Sequence, residues 1–131
     1  MGGRGQYLQK GGFRVQAYHA VGEIDGVKVI ERIDGRPGFM PQMSNSPNAI
    51  YILKSNGYYK SIGIYGSDRR LQKDIHIQHE HKNRLGEKIP KGIAHVHHLR
   101  GGRLNNVRKM SKKERRKYGA LVQKMGGKWD V

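Results

Sequence analysis

The sequence predicts an α+β fold, in which an antiparallel β-meander of four to six strands carries one C-terminal α-helix packed on the sheet. Two patterns support this prediction. Between residues 13 and 99, β-branched and aromatic runs alternate with turn signals such as Asp25-Gly26 and Asn56-Gly57. Residues 111–127 instead place apolar residues at helical spacing. A chain of 131 residues suits one domain with a modest core.

The first hairpin is predicted around Asp25-Gly26, with strands at Phe13–Ile24 and Val27–Ile33. The following segment, Gly35–Asn48, reads as a long loop because its three prolines deny it regular hydrogen bonding. Loops of this length are uncommon in small domains and are often functional or mobile. It is expected either to cover a site or to serve as an inert connection.

The clearest architecture lies between Ala49 and Leu99, where turn signals separate successive β-rich runs. A basic loop, "HKNRLGEKIPKG", precedes the last of these runs. Short connections between successive strands are typical of an antiparallel meander. The predicted strands are Ala49–Lys54, Tyr58–Tyr65, Arg69–His81 and Ile93–Leu99.

The C-terminal helix is predicted from the capping-box pattern Ser111-x-x-Glu114 and from Gly126-Gly127 at its end. Its apolar stripe should pack on the sheet. Its first turns are crowded with cations, which oppose the helix macrodipole, so they indicate anion binding or a solvated polar face. The stripe comprises Tyr118, Leu121, Val122 and Met125.

We expect residues 1–12 to form a flexible basic arm and residues 13–131 to form the single domain. The opening "MGGRGQYLQKGGF" lacks the apolar core of a signal peptide. No stretch approaches the ~20 apolar residues of a membrane span. The chain contains no cysteine, which excludes disulfides and thiolate metal sites and fits a reducing, cytoplasmic setting.

Charge is the strongest global signal, with 26 Lys+Arg against 10 Asp+Glu and a net charge of +16. Such an excess predicts a polyanionic partner, and nucleic acid is favoured, RNA over DNA. An anionic membrane surface is the rival partner, and a solvated charged surface is the plain alternative. The candidate nucleic-acid-binding residues are Arg69, Arg70, Lys82, Arg84, Arg100, Arg103, Lys112, Lys113, Arg115 and Arg116.

Six of the seven histidines fall between His76 and His98. Side chains alternate across a strand, so Asp74 and His76 should share the face opposite Ile75. If Val96 faces the core in the next strand, His95 and His97 point the same way as His76. Directly opposed side chains lie ~4.5–5.5 Å apart at Cβ. The pattern therefore predicts three imidazoles on one surface.

Two chemistries fit such a cluster. In the first, His76 and either His95 or His97 act as base and acid in RNA cleavage, beside Asp74 and without a cofactor. Lys73 or Arg100 would then stabilise charge on the phosphate. In the second, the three histidines hold Zn²⁺ with an open coordination position. The plain alternative is a set of surface histidines in a basic protein.

Three segments carry a resemblance to known proteins: "GGRG" at residues 2–5, "GYYKSIGIYGSDRRLQKDIHI" at 57–77 and "AHVHH" at 94–98. They resemble small phage-encoded proteins that lie near minor head-protein genes, and their strand pattern is similar to the C-terminal nuclease domains of polymorphic toxins. The resemblance covers roughly residues 49–99 and the first five residues. It implies a phage or toxin setting and a nuclease activity.

The leading hypothesis is therefore a small toxin-like endoribonuclease that works by paired histidine acid–base chemistry in the host cytoplasm. A non-catalytic nucleic-acid-binding or virion-associated protein is one alternative, and a metal-dependent nuclease is another. The expected partners are RNA and either a cognate inhibitor protein or a phage structural protein.

Overall fold

The computed structural model describes residues 7–10, 15–77, 81–82, 88–89 and 92–129. Within these ranges the chain forms an eight-stranded sheet, a separate two-stranded sheet and one C-terminal helix. The elements are β1 (Tyr7–Lys10), β2 (Val15–Ile24), β3 (Val27–Arg32), β4 (Ile50–Ser55), β5 (Tyr58–Tyr65), β6 (Leu71–His76), β7 (His81–Lys82), β8 (Lys88–Ile89), β9 (His95–Arg100), β10 (Arg103–Lys109) and α1 (Lys112–Lys124).

The large sheet has the strand order β1-β2-β3-β4-β5-β6-β9-β10. Its neighbouring strands run antiparallel, except for β3 and β4, which run parallel. Parallel neighbours need a crossover connection. The proline-rich loop between Ile33 and Ala49 provides it, and it crosses one face of the sheet.

Helix α1 packs on the opposite face. A row of register partners runs across that face from Val29 through Ile52, Ile62 and Ile75 to Val96. The helix covers this row with its predicted stripe of Tyr118, Leu121, Val122 and Met125, all of them buried. The capping box is present, because Ser111 Oγ accepts from the Glu114 N–H and the Glu114 carboxylate accepts from the Ser111 N–H.

The crossover loop seals the other face over a second core. Tyr18, Ile30, Met40, Tyr51 and Leu53 belong to that core. Two tyrosine hydroxyls of the sheet hold the loop by donating to its carbonyls, Tyr18 to Phe39 and Tyr65 to Pro41. The loop is thus a structural layer of the domain.

The α+β class and the packed C-terminal helix are confirmed, but the sheet differs from the predicted antiparallel meander of four to six strands. It has more strands, partly because Gly101 and Gly102 adopt positive φ and turn the chain into β10. Strand β1 also lies within the segment expected to be a flexible arm, where it pairs with β2. The sequence did not predict that β3 and β4 run parallel. Their relative direction depends on the path of the loop between them, which the sequence does not show.

Two boundaries also differ. The predicted strand Arg69–His81 ends at His76 in β6, and the predicted basic loop contains the short pair β7–β8.

In the part of the chain that the structure describes, no helix is long and apolar enough to cross a membrane.

Candidate functional site

Three imidazoles converge where β6 and β9 pair. The register places Asp74 opposite His97 and His76 opposite His95. Ile75 and Val96, which alternate with them, face the helix-side core, so the histidines and Asp74 share the loop-side face. The predicted alternation is confirmed on both strands. The name imidazole site is used below for His76, His95, His97 and Asp74.

The three rings lie in contact with one another. The ring centroids of His76 and His97 are 4.1 Å apart and nearly parallel, with an interplanar angle of 20°. His95 lies 5.0 Å from His97 and 5.8 Å from His76. One ring nitrogen from each histidine lies within 4.8 Å of the other two. Three ring nitrogens are therefore close enough together for one ion to bind all three after small rotations of the stacked rings.

Hydrogen bonds orient two of these rings. Nε2 of His76 lies 2.7 Å from Oδ2 of Asp74, and Nδ1 of His95 lies 3.2 Å from the Ile93 carbonyl oxygen. A carboxylate and a carbonyl can only accept here, so each of these nitrogens is the donor. In the neutral rings the lone pairs are then on His76 Nδ1 and His95 Nε2.

The site is largely enclosed. His95 is fully buried, His76 and Asp74 are 9% and 7% exposed, and His97 is half-buried. The Asp74 Oδ1 atom has no hydrogen-bond partner among the described residues. Ser61 Oγ, on the strand beside His76, is likewise buried and without such a partner in the described ranges. Buried polar atoms of this kind favour a bound ion or water over an apolar ligand.

Lys60 was missed by sequence reasoning. Its Nζ donates to the Gly38 carbonyl at 2.9 Å and lies 4.5 Å from the centroid of the Phe39 ring, both in the crossover loop. Burial lowers the pKa of Lys60, and the negative charge of Asp74 opposes that shift. Lys60 thus adds a cation on the face of the imidazole site. The alternation of β5 could not reveal it, because the strand carries a register shift beside residue 60.

Lys73, a predicted catalytic residue, is misplaced for that role. It pairs with His98 on the helix-side face, and its Nζ donates to Oε2 of Glu114 at 2.9 Å. Strand alternation turns Lys73 away from its neighbour Asp74. His98 shares this environment, where burial and the cations Arg108 and Lys73 lower its pKa. Neither residue belongs to the imidazole site.

The predicted nucleic-acid-binding residues do not form one patch. Arg69 and Arg70 are exposed in the turn before β6, and Arg100 and Arg103 are exposed at the β9–β10 turn. The helix cations lie on the face opposite the imidazole site, where Lys112, Lys113 and Arg116 are exposed and Arg115 is half-buried. The side chain of Lys82 and the whole of Arg84 lie outside the described residues.

The geometry bears on the two chemistries predicted for the cluster. An acid and a base that act in line on a phosphodiester must stand on opposite sides of it. Rings stacked at 4.1 Å leave no room for a phosphate between His76 and His97. Three neighbouring imidazoles, one of them bonded to a carboxylate, are the residue types of a catalytic zinc site, and the stacked pair must rotate before both rings can direct a nitrogen at one ion.

No protein-family model, curated protein or solved structure matches the chain.

Proposed function

We propose that the protein is a metal-dependent nuclease whose ion is held by His76, His95 and His97. The observation that carries the proposal is the convergence of three ring nitrogens within 4.8 Å on a buried face of the sheet. Three protein ligands leave one position of a tetrahedral ion open for water or substrate. Three histidines with one open position form a known ligand set of catalytic Zn²⁺.

When bound, such an ion lowers the pKa of a coordinated water and polarises a phosphoryl oxygen. The chain's own residues prepare the ligands. Asp74 accepts from Nε2 of His76, which leaves Nδ1 as the ligand nitrogen of that ring. The Ile93 carbonyl accepts from Nδ1 of His95, which leaves Nε2 as the ligand nitrogen. Lys60 supplies positive charge on the same face for an approaching phosphate.

The charge balance supports nucleic acid as the substrate class. A net charge of +16 on 131 residues favours polyanions over neutral or cationic substrates. Affinity that comes from phosphate contacts falls steeply with salt, because binding releases counterions. We keep RNA ahead of DNA as the expected nucleic acid, and the cleavage assay compares the two.

Metal-free RNA cleavage is the second candidate. The half-buried ring of His97 favours it, because an exposed ring edge could exchange a proton with a substrate. This candidate needs the rings to move apart before a phosphate can enter.

A cleavage assay separates the candidates. Labelled single-stranded RNA and DNA are incubated with the protein, with a strong chelator, and with the chelator followed by excess Zn²⁺ or Mn²⁺. We expect RNA cleavage that the chelator abolishes and metal restores. Chelator-resistant cleavage would overturn the metal proposal in favour of the second candidate, and binding without cleavage under every condition would overturn both.

His97→Gln and His19→Gln form the matched pair of variants for this assay. Both positions are half-buried histidines on strands, but His19 lies on β2, far across the sheet. Turnover of His97→Gln should fall more than about 100-fold, the upper end of what losing a ligand's supporting carboxylate costs. His19→Gln should keep wild-type turnover. Equal activity in both variants would exclude the imidazole site as the reaction centre.

A further inference from the structure

A basic pocket with an aromatic wall lies beside the start of α1, on the face opposite the imidazole site. Its volume is about 300 Å³, and Lys112, Arg115, Arg116 and Trp129 line it. The capping box engages the Ser111 and Glu114 N–H groups at the start of the helix. The side chains of Lys112, Arg115 and Arg116 give the pocket its positive character. It is called the Trp129 pocket below.

The chain after α1 fixes the aromatic wall. The Lys128 N–H donates to the Gly92 carbonyl at 2.9 Å, and the Lys128 carbonyl accepts from the Ala94 N–H at 2.6 Å. The Trp129 ring lies over Gly119 of the helix, close enough that a methyl group there would touch it at 3.5 Å. The ring remains partly exposed and joins the edge of the helix-side core.

The Trp129 pocket and the imidazole site lie at the same end of β9. Ala94, which bonds to Lys128, directly precedes His95. Gly127 lies against Ile77, which directly follows His76. Both sites therefore lie near the end of the sheet where β6 finishes and β9 begins.

We propose that the Trp129 pocket binds single-stranded nucleic acid, with one base stacked on Trp129 and flanking phosphates on Lys112, Arg115 and Arg116. Base–aromatic stacking combined with cationic side chains is how proteins hold single strands without reading their sequence. Three cations around one indole ring complement that ligand in charge and shape. The assignment rests on the proposed function for its ligand class.

The helix gives a further reason for this assignment. Cations in the first turns of a helix oppose its macrodipole, so Lys112, Arg115 and Arg116 do not serve helix stability. Lys124, by contrast, pairs with Asp25 at 2.6 Å. Within the described residues, the acidic side chain of the first turn, Glu114, is buried and bonded to Arg108 and Lys73, so it leaves the pocket cations unneutralised.

The test uses Trp129 as its own probe, because it is the chain's single tryptophan. His97→Gln protein, which should bind without cleaving, is titrated with an eight-nucleotide oligouridine, the matching duplex RNA and heparin. We expect saturable quenching of the tryptophan emission by the single strand and much weaker quenching at equal duplex or heparin concentration. Equal quenching by all three would overturn the stacking assignment.

Affinity is measured in parallel by the anisotropy of a labelled oligouridine. Trp129→Leu should weaken binding about ten-fold and Trp129→Phe much less, since a phenyl ring still stacks. Arg115→Gln/Arg116→Gln should weaken it at least about ten-fold, whereas Lys28→Gln/Arg36→Gln, which removes equal charge from exposed positions elsewhere, should have little effect. If both double variants lose the same affinity for the oligouridine, binding comes from overall charge rather than from the pocket, and the proposal is overturned.

The two proposals fail in different ways. If the wild-type protein does not cleave RNA but the single strand still quenches its tryptophan emission, the proposed nuclease activity is wrong and the Trp129 pocket stands. If Arg115→Gln/Arg116→Gln cleaves RNA with the wild-type KM, the pocket is wrong and the nuclease activity stands.

Discussion

Asp74 is the residue on which the imidazole site depends most. Its Oδ2 orients His76 at 2.7 Å, and its buried charge acts on Lys60 as well. A carboxylate behind a metal-binding histidine fixes the ring tautomer and raises ligand basicity. We therefore predict that Asp74→Asn weakens Zn²⁺ affinity by about 10- to 100-fold, measured by competition with a chromophoric chelator.

Asp68→Asn is the matched control for that measurement. Asp68 is an exposed carboxylate in the turn before β6, and it accepts a hydrogen bond from the Arg70 N–H at 3.0 Å. The variant removes the same charge without touching the imidazole site. Unchanged Zn²⁺ affinity in Asp74→Asn, or an equal loss in both variants, would contradict the role given to Asp74.

Glu114 ties the helix to the sheet. Burial alone would raise the pKa of Glu114, but hydrogen bonds from Arg108, the Ser111 N–H and Lys73 outweigh it and hold the pKa well below its ordinary value. Arg108 donates to both carboxylate oxygens, at 2.7 and 2.9 Å. A carboxylate with a depressed folded pKa contributes stability in full above its unfolded pKa, and this stability is lost as the pH falls toward the folded value.

We predict that Glu114→Gln lowers the free energy of unfolding by about 2 kcal/mol at pH 7. Breaking a buried pair costs about 3–5 kcal/mol, and we lower this figure because Arg108 and Lys73 remain about one-third exposed. The difference from wild type should shrink as the pH falls from about 5 toward 2, because the unfolded wild-type chain binds a proton at this carboxylate while the folded carboxylate stays ionised. Urea denaturation across that range, with exposed Glu23→Gln as control, measures it. A difference that grows toward acid pH would contradict the assignment.

For the crossover loop, the sequence predicted which residues form it but not the path that it takes over the sheet. Its three prolines indicated an irregular segment. Its path depends on anchors far away in the sequence, such as Tyr18 and Tyr65, and on a glycine that lets it approach the sheet. At Gly63 a Cβ atom would lie 2.5 Å from Cγ of Met40, so the loop rests directly on the backbone of β5.

Gly63→Ala should therefore destabilise the domain by about 1–3 kcal/mol, the usual cost of overpacking a core, because Met40 must move. Gly22→Ala on β2 is the control, since nothing lies within 4 Å of its new methyl group. Urea denaturation of both variants compares them. Two variants of equal stability would contradict the close approach of the loop to β5.

The remaining elements were predictable wherever the signal was local. Asp25-Gly26 and Asn56-Gly57 correctly predicted two hairpin turns, and the capping-box pattern correctly predicted the start of α1. Gly101-Gly102 carried the same kind of turn signal, and β10 follows it, but the polar run "RLNNVRK" shows no alternation. That strand depends on pairing with β9 rather than on its own pattern.

At the scale of the whole molecule, the candidate site was predictable because alternation and register are simple rules. Ile75 marked the core face of β6, whereas the prediction for β9 depended on Val96 facing the core, as the structure shows it does. The same rule would have excluded Lys73, which is adjacent to Asp74 and therefore faces away from it. Lys60 and the enclosure of His95 depend on tertiary packing and were beyond any local rule.

The two faces of the sheet divide the proposed functions of the molecule. The loop-side face holds the imidazole site, and the helix-side face holds the Trp129 pocket. A net charge of +16 favours a polyanionic ligand for both proposed sites. We assign catalysis to the loop-side face and ligand binding to the helix-side face. Both proposed sites lie near the start of β9, at Ala94 and His95.

A cobalt titration tests the central claim most directly. Co²⁺ occupies zinc sites, and its visible absorption reports coordination geometry without relying on catalysis. We predict one equivalent of Co²⁺ bound with the intense bands of a four-coordinate ion, displaced by Zn²⁺, retained in His19→Gln and lost in His97→Gln. Absent bands in the wild-type protein, or bands that persist in His97→Gln, would contradict a metal centre built from His76, His95 and His97.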